Sequence, residues 1–254
     1  MTSIVMTHGA FCGGWSFERF RRPFEAAGYE TIAPDLRGHA AGDPPEAVVG
    51  ASMSDYAADI ARRCAEFAEP PVLLGHSMGG LVALLAARKV AVKALVLLAP
   101  SPPWGMMGSS LEETATAFGV QMAGLFTGGA LYPDRGLMRA FSLDRLEQAD
   151  REAAVALLRP ESAVAVRETL NWWLDPFMTT SLGPGTIGAP ALVIAGEGDV
   201  VHTAATARAV AERIGADVKV MPGMSHWLVG EPGWEAVAEA AIAWLADQDL
   251  SSAA

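Results

Sequence analysis

Pro71-Val72-Leu73-Leu74-Gly75-His76-Ser77-Met78-Gly79-Gly80-Leu81-Val82-Ala83-Leu84-Leu85 decides how this chain is read. Its first four residues are a short apolar run of the kind that forms a strand covered on both faces. Its last five open a helix that closes on Arg88-Lys89, cations at the end the helix dipole favours. Between them Gly75-His76-Ser77-Met78-Gly79 fits the pattern G-x-S-x-G. A serine at the apex of a strand–turn–helix is forced into a strained backbone, and flanking glycines leave room for strand and helix to approach. The bend lifts the hydroxyl to the carboxyl edge of the sheet, where open α/β sheets bind ligands. Ser77 is therefore the candidate nucleophile. A plain glycine-rich turn is the weaker reading, because it does not require a strand on one side and a helix on the other.

Strand and helix signals alternate outward from this point. Short apolar or β-rich runs lie at Ser3–Thr7 and at 30–33, 71–74 and 94–99. A helical stripe over 53–68 carries Ala57, Ile60, Ala61, Cys64 and Phe67, with Asp55 near its N-terminus. The alternation resumes with a strand at 191–195, a helix at Ala204–Ile214, a strand at Asp217–Met221 and a helix at 235–246. Right-handed crossovers then give a doubly wound sheet of six strands in the order 2-1-3-4-5-6. From Pro102 to about Pro184 the pattern breaks: helical pieces are expected at 111–126, 134–141, 143–158 and 161–174, and no buried strand. The expected organisation is a core of residues 1–103 and 184–254 with an inserted helical cap at 104–183. The small polar tail 251–254 is expected to fray.

A serine hydroxyl needs a base. Of the five histidines, His226 in Pro222-Gly223-Met224-Ser225-His226-Trp227 follows the last strand, on the sheet edge that bears Ser77. His76 is read as structural, His8 as a brace for its neighbouring loop, His39 as structural or on the rim, and His202 as a neighbour of Asp199. The acid belongs on a third loop between Ser77 and His226, and Gly196-Glu197-Gly198-Asp199 supplies it. Asp199 lies further out of its strand than Glu197. The rival position after the fourth strand, Pro100-Ser101-Pro102, has no carboxylate. Donors for a tetrahedral oxyanion are expected from the Met78 amide and from the glycine-rich loop His8–Trp15, with Ala10 as candidate. Trp104, Met107, Met122, Phe126, Trp172, Trp173, Phe177 and Met178 of the insertion, with Phe11 and Trp227 beside the site, are the candidate substrate lining. The same side chains would equally serve as the insertion's own core.

Bulk properties narrow the field. A chain of 254 residues with 51% hydrophobic residues can bury a large core, and a net charge of −11 argues against a nucleic-acid partner. No apolar run approaches the roughly 18 residues of a membrane span. The opening residues read as a strand running into a turn rather than a secretory signal. Cys12 and Cys64 fall in a loop and a helix with no reason to pair, which fits a reducing compartment and a cytoplasmic location. No metal-ligand spacing and no cofactor motif is present, so neither group is implied.

His8-Gly9-Ala10-Phe11-Cys12-Gly13-Gly14-Trp15-Ser16, together with Gly75-His76-Ser77-Met78-Gly79-Gly80, resembles the plant methylesterase and hydroxynitrile lyase branch of the α/β-hydrolase-fold superfamily and its bacterial esterase relatives. The resemblance implies the α/β-hydrolase fold: a six-stranded, mostly parallel sheet with helices on both faces and an inserted helical cap. It also implies that the residue after His-Gly and the residue after the serine, Ala10 and Met78, donate the oxyanion amides. The lyases of that branch carry a lysine after the histidine and a threonine in the oxyanion loop. Trp227 and Gly9 stand there in this chain, which favours hydrolysis. Relatives with an aspartate nucleophile are excluded by Ser77. The expectation is a serine hydrolase acting on a small-molecule carboxylic ester with an apolar acyl or alcohol group. Lactone, thioester, carbon–carbon bond and perhydrolase chemistry fit the same triad, and a non-catalytic receptor is a further reading. Monomer and homo-oligomer both remain open.

Overall fold

The four inner strands of the central sheet carry apolar residues on both faces, and that dictates two layers of helix around it. The structure, a computed structural model, describes residues 1–108, 129–183 and 185–248. Strands β1 (Ser3–Thr7), β2 (Glu30–Ile32), β3 (Val72–His76) and β4 (Ala94–Leu98) precede the insertion. Within it, β5 (Ala130–Leu131) and β6 (Glu161–Ser162) pair antiparallel; β7 (Ala191–Gly196) and β8 (Asp217–Met221) follow. The main sheet runs β2-β1-β3-β4-β7-β8, with every neighbouring pair parallel. This is the arrangement expected from the sequence. β1, β3, β4 and β7 are buried throughout, whereas β8 exposes Asp217 and Lys219 and so blunts an open edge.

Alternation along the strands divides the core in two. Ile4, Met6, Val72, Leu74, Val96, Leu98, Leu192 and Ile194 face a cluster with Phe17, Phe20, Phe24 and the last helix. Val5, Leu73, Leu95, Leu97, Val193 and Ala195 face the other helices. Those helices are α2 (Met53–Cys64), α3 (Met78–Ala87) and α6 (Ala204–Ile214); α1 (Arg21–Ala26), α4 (Gln148–Leu157), α5 (Ala163–Leu170) and α7 (Trp234–Asp247) complete the set used below. Helix α2 begins in a reciprocal cap between Ser52 and Asp55 and buries Met53, Tyr56, Ala57, Ile60, Ala61 and Cys64. It stops at Cys64 rather than at 68, because turns through Glu66 and Phe67 lead the chain into the Pro70-Pro71 pair before β3. Helix α1 gave no clear signal in the sequence, being only six residues long. No helix among the described residues is long and apolar enough to cross a membrane.

The insertion departs most from expectation. The helix expected at 134–141 is one α-turn, Arg135–Leu137, capped by Asp134 and followed by a wide π-turn at Met138–Ser142. The helix expected from 143 begins at Gln148. The one expected from 161 begins at Ala163, because Glu161 and Ser162 pair as β6 and the Ser162 hydroxyl then caps Val164 and Ala165. It ends at Leu170, and Trp172–Leu174 forms a separate 3-10 turn. A strand pair of two residues each is too short to show in a hydrophobic pattern. The helix expected at 111–126, with Met122 and Phe126, and the 251–254 tail lie outside the described residues.

Candidate active site

Three loops at the carboxyl edge of the sheet converge on Ser77. The serine sits between the last residue of β3 and the first of α3 with φ 54° and ψ −124°, a conformation that costs about 1–3 kcal/mol in a non-glycine residue. Its backbone is held on both sides: its N–H donates to Leu98 O at 2.9 Å, and its carbonyl accepts from Gly80 N at 2.9 Å and Ser101 N at 3.0 Å. A Cβ on Gly79 would run into the Thr7 and His8 carbonyl oxygens, and one on Gly75 into the Gly79 carbonyl. Those two positions tolerate no side chain because strand, elbow and helix are in contact there. For that reason α3 starts at Met78, three residues before the apolar run suggested.

His226 bridges the other two loops. Its Nε2 lies 3.1 Å from Ser77 Oγ and its Nδ1 2.8 Å from Asp199 Oδ2. These partners place the proton on Nδ1 and leave Nε2 to accept the serine proton. Asp199 spends its second oxygen on the amides of Val201 (2.8 Å) and His202 (2.9 Å). Burial works against a charge on either residue. The Asp199 charge and hydrogen bond, with help from Glu231 and Asp144, still hold the imidazole above the ordinary histidine value; His226 and His202 hold the Asp199 carboxyl below its own. Asp199 and His226 are each 3% exposed, while Ser77 is half-buried and reachable.

The surrounding histidines brace His226. His76 donates from Nε2 to the His226 carbonyl at 2.8 Å, and burial lowers it to about 3, so it stays neutral 5.0 Å from the His226 ring. His202 packs edge-on at 5.4 Å and bonds through Nε2 to Ser101 Oγ at 2.9 Å. That second serine–histidine pair is no rival nucleophile, since Ser101 is 2% exposed. It does show what occupies the position after β4 where a carboxylate was sought. Glu231 accepts the Ser225 amide at 2.6 Å and so anchors the loop carrying His226; burial raises its carboxyl to about 7.

The glycine-rich loop lies directly over Ser77, for a Cβ on Gly9 would sit 3.2 Å from Ser77 Cβ. Ala10 follows Gly9 in this loop, and Met78 follows Ser77 as the first residue of α3. His8 braces this loop as expected, donating to Gly9 O at 2.9 Å and accepting from Leu36 N at 3.0 Å. His39 is not on a rim: it is 1% exposed and pairs with buried Glu161. Sequence reading missed Glu161 altogether, since one acid in a short strand carries no pattern.

The candidate lining separates into groups. Trp104 is half-buried against Trp172, centroids 5.1 Å apart, and Trp172 stands edge-on to Trp173 at 5.8 Å. Met107, Trp173, Phe177 and Met178 are exposed, Phe177 at 86%. Trp227 departs from the expected role: it is 5% exposed and wedged between Trp15 and His76, a support for the imidazoles rather than a surface. Phe11 is likewise buried, as part of the core cluster under the first face of the sheet. Among the described residues no cluster of His, Cys, Asp or Glu could hold a metal ion.

A profile described as the alpha/beta hydrolase family matches residues 4–240. A pyrethroid hydrolase of Sphingobium wenxiniae is 38% identical over 80 residues, which are 32% of this chain and 28% of that protein; the match thus spans under a third of that relative. Among solved structures, a pyrethroid hydrolase from Sphingobium faniae superposes with a TM-score of 0.71 at 23% identity, covering 99% of both chains. A methylesterase, MES16, from Arabidopsis superposes with a TM-score of 0.71 at 17% identity, covering 97% of this chain and 98% of that one.

Proposed function

Because this chain belongs to the alpha/beta hydrolase family, we propose that it is a serine carboxylic-ester hydrolase working through an acyl-enzyme on Ser77. The observation that carries this reading is the continuous relay from Asp199 through His226 to Ser77 Oγ, built on a strained elbow at the open edge of the sheet. The hydrolase and methylesterase names of its relatives and structural neighbours support it.

In the proposed cycle the Ser77 proton passes to His226 Nε2 as Oγ bonds to the ester carbonyl carbon. The carbonyl oxygen becomes an oxyanion held by the Ala10 and Met78 amides. His226 returns the proton to the departing alkoxide as the ester C–O bond breaks, leaving the acyl group on Ser77. Water then repeats the sequence: its proton goes to His226, its oxygen to the acyl carbon, and Ser77 recovers the proton as the acid leaves. Asp199 holds the tautomer and balances the imidazolium without taking a proton. Neutral His76 and the Glu231 carboxyl fit this role, since neither adds positive charge beside that imidazolium.

Residues 104–183 are proposed as a cap over this site. The tryptophan ladder from Trp104 to Trp173 and the exposed Met107, Phe177 and Met178 support an apolar acyl or alcohol group as the part it receives. A cytoplasmic location is supported by Cys12 and Cys64, both buried and unpaired. The test is a fluorophosphonate probe alongside a panel of p-nitrophenyl esters. We expect one label per chain, on Ser77, and ester turnover that the label abolishes; turnover that survives full labelling would overturn the assignment.

A further inference from the structure

The loop after β4 is both stiff and strained. Ala99 has φ 43°, a conformation costly for a residue with a side chain, and its N–H donates to Ile194 O at 2.7 Å. Pro100 and Pro102 then restrict the backbone on both sides of Ser101. Ser101 is buried and makes bonds to two different loops. Its N–H donates to Ser77 O at 3.0 Å, and its Oγ shares a hydrogen bond of 2.9 Å with His202 Nε2.

His202 belongs to the loop that carries Asp199. Its N–H donates to Asp199 Oδ1 at 2.9 Å, and its ring lies edge-on to that of His226, centroids 5.4 Å apart. Toward β8 this loop is tied by Glu197 N to Met221 O at 3.0 Å and by Gly198 N to Met224 O at 2.8 Å. Those bonds join it to the strand and loop that lead to His226. The Ser101–His202 bond joins it to the elbow instead. Ser77 and Asp199 are thus connected twice, once through His226 and once through Ser101 and His202. The two paths close a ring of hydrogen bonds, and the second contains no group that the proposed cycle protonates.

We propose that Ser101 and His202 are a positioning pair, whose bond sets the Asp199 loop at a fixed distance from Ser77 and so fixes the span that His226 bridges. The inference rests on the esterase reading above, which gives that span its purpose. A buried hydrogen bond contributes little net stability, because both groups give up water to make it. What it supplies is direction and length, and apolar side chains in the same two places would fill the space without setting either. The relay is sensitive to such a setting, since a misplacement of about 1 Å can cost roughly 100-fold in rate.

The test pairs two variants that cut this bond and spare its neighbours. Ser101→Ala removes Oγ and leaves the N–H that donates to Ser77 O; His202→Phe removes Nε2 and leaves the N–H that donates to Asp199. In each, kcat per active site titrated with phosphonate should fall by roughly 10–100-fold, with KM within about threefold. Because both cut one bond, the double variant should be no slower than His202→Phe alone. His202→Gln, whose side-chain amide can meet Ser101 Oγ, should keep most of the wild-type rate. The proton between His226 and Asp199, read by NMR as a far-downfield resonance, should move or broaden in Ser101→Ala and stay in place in His202→Gln. If His202→Phe does not fold, kcat and that resonance in Ser101→Ala decide the matter. Wild-type kcat in folded Ser101→Ala, or losses that multiply in the double variant, would overturn the proposal. Turnover by Ser77→Ala, or phosphonate label on Ser101, would instead overturn the esterase reading beneath it.

Discussion

Ser77, His226 and Asp199 touch through two hydrogen bonds of 3.1 and 2.8 Å, and each makes a separable demand on the chemistry. Ser77→Ala should fold normally, since alanine keeps the Cβ and adds no bulk, and lose turnover by about 10⁶-fold, the scale seen when a triad nucleophile is removed. Ester hydrolysis and a melting curve on the same preparation check both halves. In the proposed cycle His226 acts as a base only when neutral, and its surroundings hold it above the ordinary histidine value. kcat/KM should therefore rise with pH through an apparent pKa above about 6.5. In Asp199→Asn both the charge and the acceptor that raise His226 are gone while burial remains. The limb should move to lower pH as kcat falls by about 10⁴-fold. A limb that stays in place would mean that another group sets it.

At the scale of elements, the elbow works because β1, β3 and α3 meet without side chains between them. Gly79→Ala would ordinarily stabilise a helix by about 1 kcal/mol. Here the added Cβ meets the carbonyl oxygens of Thr7 and His8, backbone that cannot swing aside, and overpacking of this kind costs about 1–3 kcal/mol or more. A lower Tm is expected, with reduced activity per folded molecule, since β1 leads directly into the loop proposed to hold the oxyanion. The insertion makes a different prediction. If its exposed aromatic side chains receive an apolar substrate group, kcat/KM should climb about fourfold per methylene across a p-nitrophenyl ester series, from roughly 0.8 kcal/mol each, until the pocket fills. Phe177→Ala should change that profile with little change in Tm, because its ring is already 86% exposed. A flat series would remove the apolar cap from the proposal and leave the triad standing.

For the whole molecule, the buried Glu161–His39 pair joins the insertion to the core, so its titration should appear in global stability. Burial opposes both charges; His39, Tyr56 and Ser162 nevertheless hold the Glu161 carboxyl below its ordinary value, while Glu161, Arg37 and Asp35 hold His39 above its own. The Glu161 contribution is complete above about pH 4.3 and is lost as pH falls through its folded value. That of His39 is complete below about pH 6.5 and is lost as pH rises through its folded value. His8, Cys12 and Tyr56, which share the cluster, add no charge there, since burial holds His8 at about 3 and lifts the thiol and phenol far above neutral pH. The Tm difference between wild type and Glu161→Gln should therefore be largest between about pH 4.3 and 6.5 and narrow on either side. A difference independent of pH would show that the pair is not ionised in the folded state.

Much of this molecule was determined locally and so was legible in the chain. The apolar runs at β1, β3, β4 and β7 fix buried parallel strands, and handedness then fixes their order. Gly75-His76-Ser77-Met78-Gly79 fixes the elbow, and the loops after β7 and β8 carry Asp199 and His226 to the same edge. Each of these follows from periodicity or from a turn that only certain residues permit. The tertiary structure alone decided what depends on distant partners. The Glu161–Ser162 strand exists through pairing with Ala130–Leu131, not through its own propensity. His39 reads as either structural or on the rim until Glu161, 122 positions away, supplies its partner. Trp227 reads as pocket lining until Trp15 and His76 close around it. Burial and pairing across such separations are properties of the packed chain, and no local window of sequence contains them.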